Sequence, residues 1–198
     1  MVKIPTDTKY FVKVYEGVFE SNFCKKVIKE IDKNVDWQEH DWNEGYSAST
    51  GENLVNKKGT NELSIGNYKS KKTSEIMDRL WFVLDDYYKT VLANFSWCNS
   101  WNGYSDIRYN KYDLNQEMKL HCDHILTLFT GIRRGIPTLT ILGTLNDNYE
   151  GGNLCIIDEE VLMKTGSVVI FPSNFMYPHM VKPVTKGTRY SYVSWVWG

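Results

Sequence analysis

The chain divides by the period of its apolar residues. Phe23, Val27 and Ile31, joined by Cys24 and Ile28, recur at helical spacing, which predicts a helix over 22–33 with Ser21 as its N-cap. Ile76, Leu80, Val83, Leu84, Tyr87 and Val91 form a second stripe, so a longer helix is expected to open at Thr73 or Ser74 and run to about Phe95. Between the two, 36–68 mixes polar residues, glycines and the isolated Trp37 and Trp42. That segment reads as strands joined by a long mobile loop, with Gly51–Thr60 its most flexible part.

Beyond Asp106 the period shortens. Short β-rich runs at 107–112, 117–124, 138–145, 153–157, 167–171, 179–184 and 189–197 alternate with turn clusters at 146–152 and 164–166, and Pro172, Pro178 and Pro183 bar helix continuation. The expected fold is mostly β (α+β), a jelly-roll core backed by N-terminal helices. One domain spanning 1–198 is expected, with 1–100 as helical support and N-terminal strands and 101–198 as the jelly roll.

Composition narrows the function classes. Twenty-three basic and 24 acidic residues leave a net charge of −1, so no global field draws the chain to nucleic acid or to an anionic membrane. Cys24, Cys98, Cys122 and Cys155 form neither a C-x-x-C pair nor a disulfide framework. With no signal-peptide pattern at the start and no run of membrane-spanning length, a soluble cytoplasmic protein is expected.

The candidate chemistry lies in His121-Cys122-Asp123, followed at a distance by His179 and Arg189. In a strand His121 and Asp123 share a face while Cys122 and His124 turn away, so one more imidazole completes a two-histidine, one-carboxylate face with open metal positions. With four histidines in the chain, chance alone puts an H-x-D in roughly one such sequence in four. A surface strand bearing two polar side chains stays open on that evidence. His40 reads as a loop residue, Cys122 as packing behind the metal face, Lys69, Lys71 and Lys72 as the solvated start of a helix, and Arg133-Arg134 as a solvated loop.

The wider pattern removes that ambiguity. Tyr112, His121, Asp123, Leu145-Asn146, Gly151-Gly152, Gly166 with Phe171-Pro172, His179, Pro183-Val184, Gly187, Arg189 and Trp195 occur in one order. From Tyr112 to Trp195, about half the chain, this resembles the prolyl 4-hydroxylase-like branch of the Fe(II)/2-oxoglutarate-dependent dioxygenases. The resemblance implies a double-stranded β-helix core in which His121, Asp123 and His179 hold Fe(II) and Arg189 binds the distal carboxylate of 2-oxoglutarate. It further implies cosubstrate contacts from Tyr112, Thr144 and Trp195, the use of O2, and room for ascorbate. Thr144 stands where this branch often has tyrosine, and Asn153 where an acidic residue often follows the glycine pair.

The implied reaction is hydroxylation of an unactivated C–H bond, with a prolyl residue of a peptide or protein preferred as the target and lysyl or another amino-acid hydroxylation as the alternative. A metal-binding jelly-roll sensor is the non-enzymatic alternative. Nucleic acid is excluded as substrate, because the R-x-N-x-x-x-x-x-R pattern of the demethylase branch is absent after Arg189. The 36–68 segment is a candidate substrate lid, and oligomeric state is not legible.

Overall fold

A computed structural model describes residues 5–47, 52–56, 61–95, 98, 101, 103–123 and 137–197, with backbone only across 42–47 and 52–56. A short 3-10 turn, Thr8–Phe11, precedes β1 (Lys13–Tyr15), α1 (Ser21–Asn34), β2 (Gln38–Glu39), β3 (Trp42–Ser47), β4 (Glu52–Asn56), β5 (Ser64–Gly66) and α2 (Lys71–Thr90). Among the described residues the second half contains strands alone: β6 (Gly103–Tyr104), β7 (Arg108–Tyr112), β8 (Met118–His121), β9 (Pro137–Thr144), β10 (Glu150–Gly151), β11 (Leu154–Ile156), β12 (Glu159–Val161), β13 (Val168–Pro172), β14 (His179–Val181), β15 (Val184–Lys186) and β16 (Arg189–Trp197).

The strands make two main antiparallel sheets. The larger has the order β1-β13-β9-β16-β7-β5-β2, with β6 also on β16, and the smaller has the order β12-β11-β14-β8. β3 and β4 form a separate hairpin, as do β10 and β15. This is the expected jelly roll backed by helices. Among the described residues no helix is long and apolar enough to cross a membrane.

Strand alternation gives the large sheet two chemically different faces. On β16, Tyr190, Tyr192 and Val196 point to one side, where Tyr109, Ile141, Val168 and Ile170 join them. That face packs against Cys24, Val27 and Ile31 of α1 and Ile76, Leu80, Leu84 and Tyr87 of α2. Each fully buried side chain of this kind contributes roughly 1.5–3 kcal/mol, so the helices are held by the sheet more than by their own propensity. Register sets Tyr192 opposite Gly143, and a Cβ at Gly143 would lie 2.0 Å from the Tyr192 ring.

The opposite face carries Arg189, Ser191, Val193 and Trp195 on β16, with Arg108, Asn110 and Tyr112 on β7 and Thr140, Leu142 and Thr144 on β9. Tyr112 and Leu142 of this face pack with Leu154, Ile156 and Val181 of the small sheet. The polar members are the ones that build the site.

Several local expectations shift. Ser21 is the first residue of α1, not its cap; Glu20 holds the N-cap position and gives no side-chain hydrogen bond. In α2 the Ser70 hydroxyl accepts from the Thr73 N–H, so the helix starts at Lys71, and it ends at Thr90, short of Phe95. Thr73 is instead buried, its hydroxyl donating to the Tyr68 carbonyl. Lys72 is not simply solvated: it pairs with Glu30 and ties α2 to α1, while Lys69 pairs with Asp106 at 3.0 Å. Within 36–68 the chain forms β2 to β5, and β4 falls in the stretch expected to be most flexible. His124 and Arg133-Arg134 lie outside the described residues, as do 48–51 and 57–60 of the proposed lid.

Candidate metal centre

β8 and β14 are adjacent antiparallel strands of the small sheet, and their register sets His121 opposite His179. The two ring centroids are 4.2 Å apart. Each Nδ1 lies on a backbone carbonyl, His121 on Lys119 at 2.7 Å and His179 on Tyr177 at 3.2 Å. Because a carbonyl only accepts, both Nδ1 atoms carry the proton and both Nε2 atoms present a lone pair. Those Nε2 atoms converge on Asp123, at 3.4 Å from Oδ1 for His121 and 3.7 Å from Oδ2 for His179. The three donor atoms lie within 4.8 Å of one another, near enough for one ion between them.

Asp123 reaches this position by a route the strand pattern does not describe. β8 ends at His121, and Asp123 sits in a turn beyond it. The carboxylate is brought round by that turn and then fixed from the large sheet: Oδ2 accepts from Thr140 Oγ1 at 2.7 Å and from Trp195 Nε1 at 2.8 Å. Thr140 in turn contacts Ser173 Oγ at 2.8 Å. Burial opposes ionisation of Asp123, but its polar neighbours, the Trp195 N–H among them, hold its carboxyl below the usual range. Burial pushes His179 down to about 4, against the pull of Asp123, so its imidazole is neutral and available at neutral pH.

A second cluster lies on the large sheet, on the face that carries Trp195. Arg189 is 1% exposed, its Nη1 donates to Ser191 Oγ at 2.9 Å, and its guanidinium stacks over the Tyr112 ring at 4.8 Å. Its Nε is buried without a partner, and so is Thr144 Oγ1, which shares that face across β9 and β16. Among the described residues no carboxylate pairs with Arg189. A buried, unpaired guanidinium beside an orphaned hydroxyl is unstable unless an anion completes it. Burial raises the Tyr112 phenol while Arg189 pulls it down, and the net rise keeps it a donor. Gly152, at φ +62°, permits the close approach: a Cβ there would lie 3.2 Å from Arg189 Cδ.

The residues expected at the site therefore gather in two groups, His121, Asp123 and His179 at one end and Arg189, Tyr112 and Thr144 at the other. Trp195 belongs to the first, because its N–H is committed to Asp123. Sequence reading missed Thr140, and it missed Arg108 and Asn110, which line the same pocket as the three metal-type donors. His40 lies just beyond β2 in a loop, as expected, and its Nδ1 is 3.6 Å from the buried Glu62, whose carboxylate is also 3.8 Å from Lys119. Strand alternation held the signal for Arg108 and Asn110, since both share parity with Tyr112 on β7.

Comparison with known proteins agrees with this geometry. Residues 107–197 match the 2OG-Fe(II) oxygenase superfamily. A PKHD-type hydroxylase from Alteromonas mediterranea is 30% identical over 95 residues, covering 44% of this chain and 41% of that protein, and one from Gloeothece citriformis is 35% identical over 92 residues, covering 44% and 40%. The chain thus spans about two fifths of the length of the curated relatives it matches. Among solved structures, the viral collagen prolyl hydroxylase of Paramecium bursaria Chlorella virus-1 superposes with a TM-score of 0.67 at 13% identity, over 95% of this chain and 96% of that one. A Trichoplax adhaerens prolyl hydroxylase, solved with a peptide fragment of the hypoxia-inducible factor oxygen degradation domain, gives 0.64 at 18% identity, over 95% and 84%. At these identities the likeness is one of fold.

Proposed function

Residues 107–197 belong to the 2OG-Fe(II) oxygenase superfamily, and from that premise we propose that this chain is a 2-oxoglutarate-dependent dioxygenase that hydroxylates a C–H bond, with a prolyl residue of a peptide or protein as the preferred target. The observation that carries the reading is the pairing of two incomplete sites, one built on the small sheet and one on the facing side of the large sheet. Two imidazoles and a carboxylate bring their ligand atoms within 4.8 Å of one another, and among the described residues no anion meets the buried guanidinium Nε and hydroxyl of the second group. One ligand with an oxoacid end and a distal carboxylate answers both.

In this reading His121, Asp123 and His179 hold Fe(II), leaving three positions for the cosubstrate and O2. Arg189 receives the distal carboxylate of 2-oxoglutarate, with Thr144 and Tyr112 supplying further hydroxyls, because a guanidinium fork matches a carboxylate and keeps its charge when desolvated. Fe(II), when bound by His121, Asp123 and His179, would supply O2 activation coupled to the oxidation of 2-oxoglutarate to succinate and CO2, with the second oxygen atom delivered to the substrate as hydroxyl. The chain's own residues position these groups. The carbonyls of Lys119 and Tyr177 fix the imidazole tautomers, and Thr140 and Trp195 hold Asp123 against rotation. Leu142, Val181 and Val193 line the same pocket and limit water around the metal.

The names of the curated relatives support hydroxylation as the activity, and the solved prolyl hydroxylases, one of them in complex with a peptide fragment, support a prolyl residue of a peptide as the target. The test is anaerobic addition of Fe(II) and then 2-oxoglutarate, followed by O2 and a panel of proline-containing and lysine-containing peptides. A weak visible charge-transfer band, succinate formation and a gain of one oxygen on proline are expected. Iron binding without a band or succinate would refute the oxygenase reading, and oxygen found on lysine alone would overturn the choice of target.

A further inference from the structure

Among the described residues that line the metal pocket, Arg108 is the cation that the proposed chemistry leaves unused. It projects from β7 on the same face as Asn110 and Tyr112, and it lines the pocket with His121, Asp123 and His179. Its guanidinium stacks over the Trp195 ring at 4.9 Å, and its Nε donates to Asn110 Oδ1 at 3.3 Å. The group is thereby held flat and aimed. Among the described residues no carboxylate lies within ion-pair distance of it, and no acceptor takes its Nη hydrogens.

We propose that Arg108 recognises a carboxylate on the substrate, so that the C–H bond presented to the metal belongs to a molecule with an anionic group close by. This rests on the oxygenase reading above and deepens it. Charge balance within the pocket supplies the argument. Fe(II) brings two positive charges and Arg189 one; 2-oxoglutarate brings two negative charges and Asp123 one. Those sum to zero. Glu62, the other buried acid near the pocket, already faces Lys119 at 3.8 Å and His40 at 3.6 Å. Among the described residues Arg108 therefore leaves one positive charge uncompensated once metal and cosubstrate are in place, and an enclosed charge requires a partner.

A single carboxylate balances that charge, where a phosphate would overshoot it. It also suits the hardware, because the two Nη groups form a fork for two oxygens and the Asn110 amide, 3.3 Å from Nε, holds the fork in place. Stacking on Trp195 leaves the guanidinium edge free, since the ring takes only its face. Two sources offer this chemistry: an acidic side chain next to the target residue of a peptide, or the α-carboxylate of a free or C-terminal amino acid.

The test uses matched pairs that differ only in charge, added to the full chain loaded with Fe(II) and 2-oxoglutarate under anaerobic conditions. Acetyl-Asp-Pro-amide against acetyl-Asn-Pro-amide reports a side-chain carboxylate; acetyl-proline against acetyl-prolinamide reports an α-carboxylate. Binding is read from perturbation of the charge-transfer band and from intrinsic tryptophan fluorescence, and turnover from the hydroxylated product after O2 is admitted. In at least one pair the acid is expected to bind about tenfold to a hundredfold more tightly than its amide, the range of a charge-assisted hydrogen bond. Arg108→Gln should bring that ratio to about one, and Arg108→Lys should keep part of it. Ratios near one in both pairs for the wild-type protein, or a ratio that Arg108→Gln leaves intact, would overturn the proposal. Failure of the oxygenase reading looks different: the charge-transfer band and succinate are then missing, while the acid-to-amide ratio is still read by fluorescence.

Discussion

Trp195→Phe isolates the support of the metal-binding carboxylate. The substitution keeps an aromatic ring beneath Arg108 but deletes the N–H that donates to Asp123 Oδ2 at 2.8 Å. Oδ2 then retains one donor, Thr140 Oγ1 at 2.7 Å. A hydrogen bond to a charged group is worth roughly 1.5–3 kcal/mol, which as a full difference in binding would weaken metal affinity roughly 10- to 150-fold. The bond exists with and without the metal, however, so only the orientation it enforces enters the affinity. The expected loss is therefore near the lower end, about tenfold, in line with the effect of outer partners on metal sites. The remainder emerges as folding stability, about 1 kcal/mol, or a Tm lower by about 2–4 °C for a chain of this size. Mn(II) titration followed by the resonance of the free ion measures the first quantity, and thermal unfolding of the metal-free protein the second. Thr140→Val should behave alike, and the double variant should lose more than the sum, since either donor alone can still restrain the carboxylate. Mn(II) affinity within about twofold of wild type in both single variants would refute the claim that these bonds orient Asp123.

Arg189→Ala should weaken 2-oxoglutarate binding by about 2–5 kcal/mol, the usual effect of deleting one side of a buried charge pair, while Mn(II) affinity stays within a fewfold; calorimetric titration of each ligand checks this, and equal loss of both would make Arg189 a structural residue. Gly143→Ala drives a methyl group into the Tyr192 ring, 2.0 Å from its nearest atom, and should cost about 1–3 kcal/mol by overpacking, seen as a lower Tm with the metal site intact. Asp32 is held below its ordinary value of 3.8 by its hydrogen bond from Lys111 at 3.0 Å and then by that from Tyr190 at 2.8 Å. A lowered carboxyl pKa contributes stability that is present above 3.8 and lost as pH falls through the folded value. Asp32→Asn should therefore be less stable at pH 7 and show a flatter loss of stability below about pH 4; parallel acid-unfolding slopes in the two proteins would contradict this.

The two apolar periods and the order of turn residues were enough to locate both helices and most of the β-rich runs, because those features are local; His121, Asp123, His179 and Arg189 stood out only through the family resemblance, and Asp123 lies in a turn that strand parity does not describe. β16 was read to its observed limits, 189–197. Helix ends were less legible: Ser70, Thr73 and Ser74 are all chemically fit to cap α2, and only the fold, which buries Thr73 against Tyr68 and Tyr109, leaves Ser70 for the task. In the site, parity gave each strand two faces without saying which one looks inward. On β7 the polar pair Arg108 and Asn110 turns toward the metal-type donors while Tyr109 packs under the helices, the reverse of the simple rule that polar residues face water.

The sequence alone determined which residues could carry the chemistry, since a side chain's donor set and charge are fixed by its identity. Tertiary structure alone decided which of them act together. The Asp123 carboxylate is aimed by Thr140 and Trp195 from the opposite sheet, and Arg108 is set in the pocket by its register against Val193. Those contacts depend on how two sheets stack and on how strands far apart in the chain are paired, and neither is encoded in the spacing of residues along one strand.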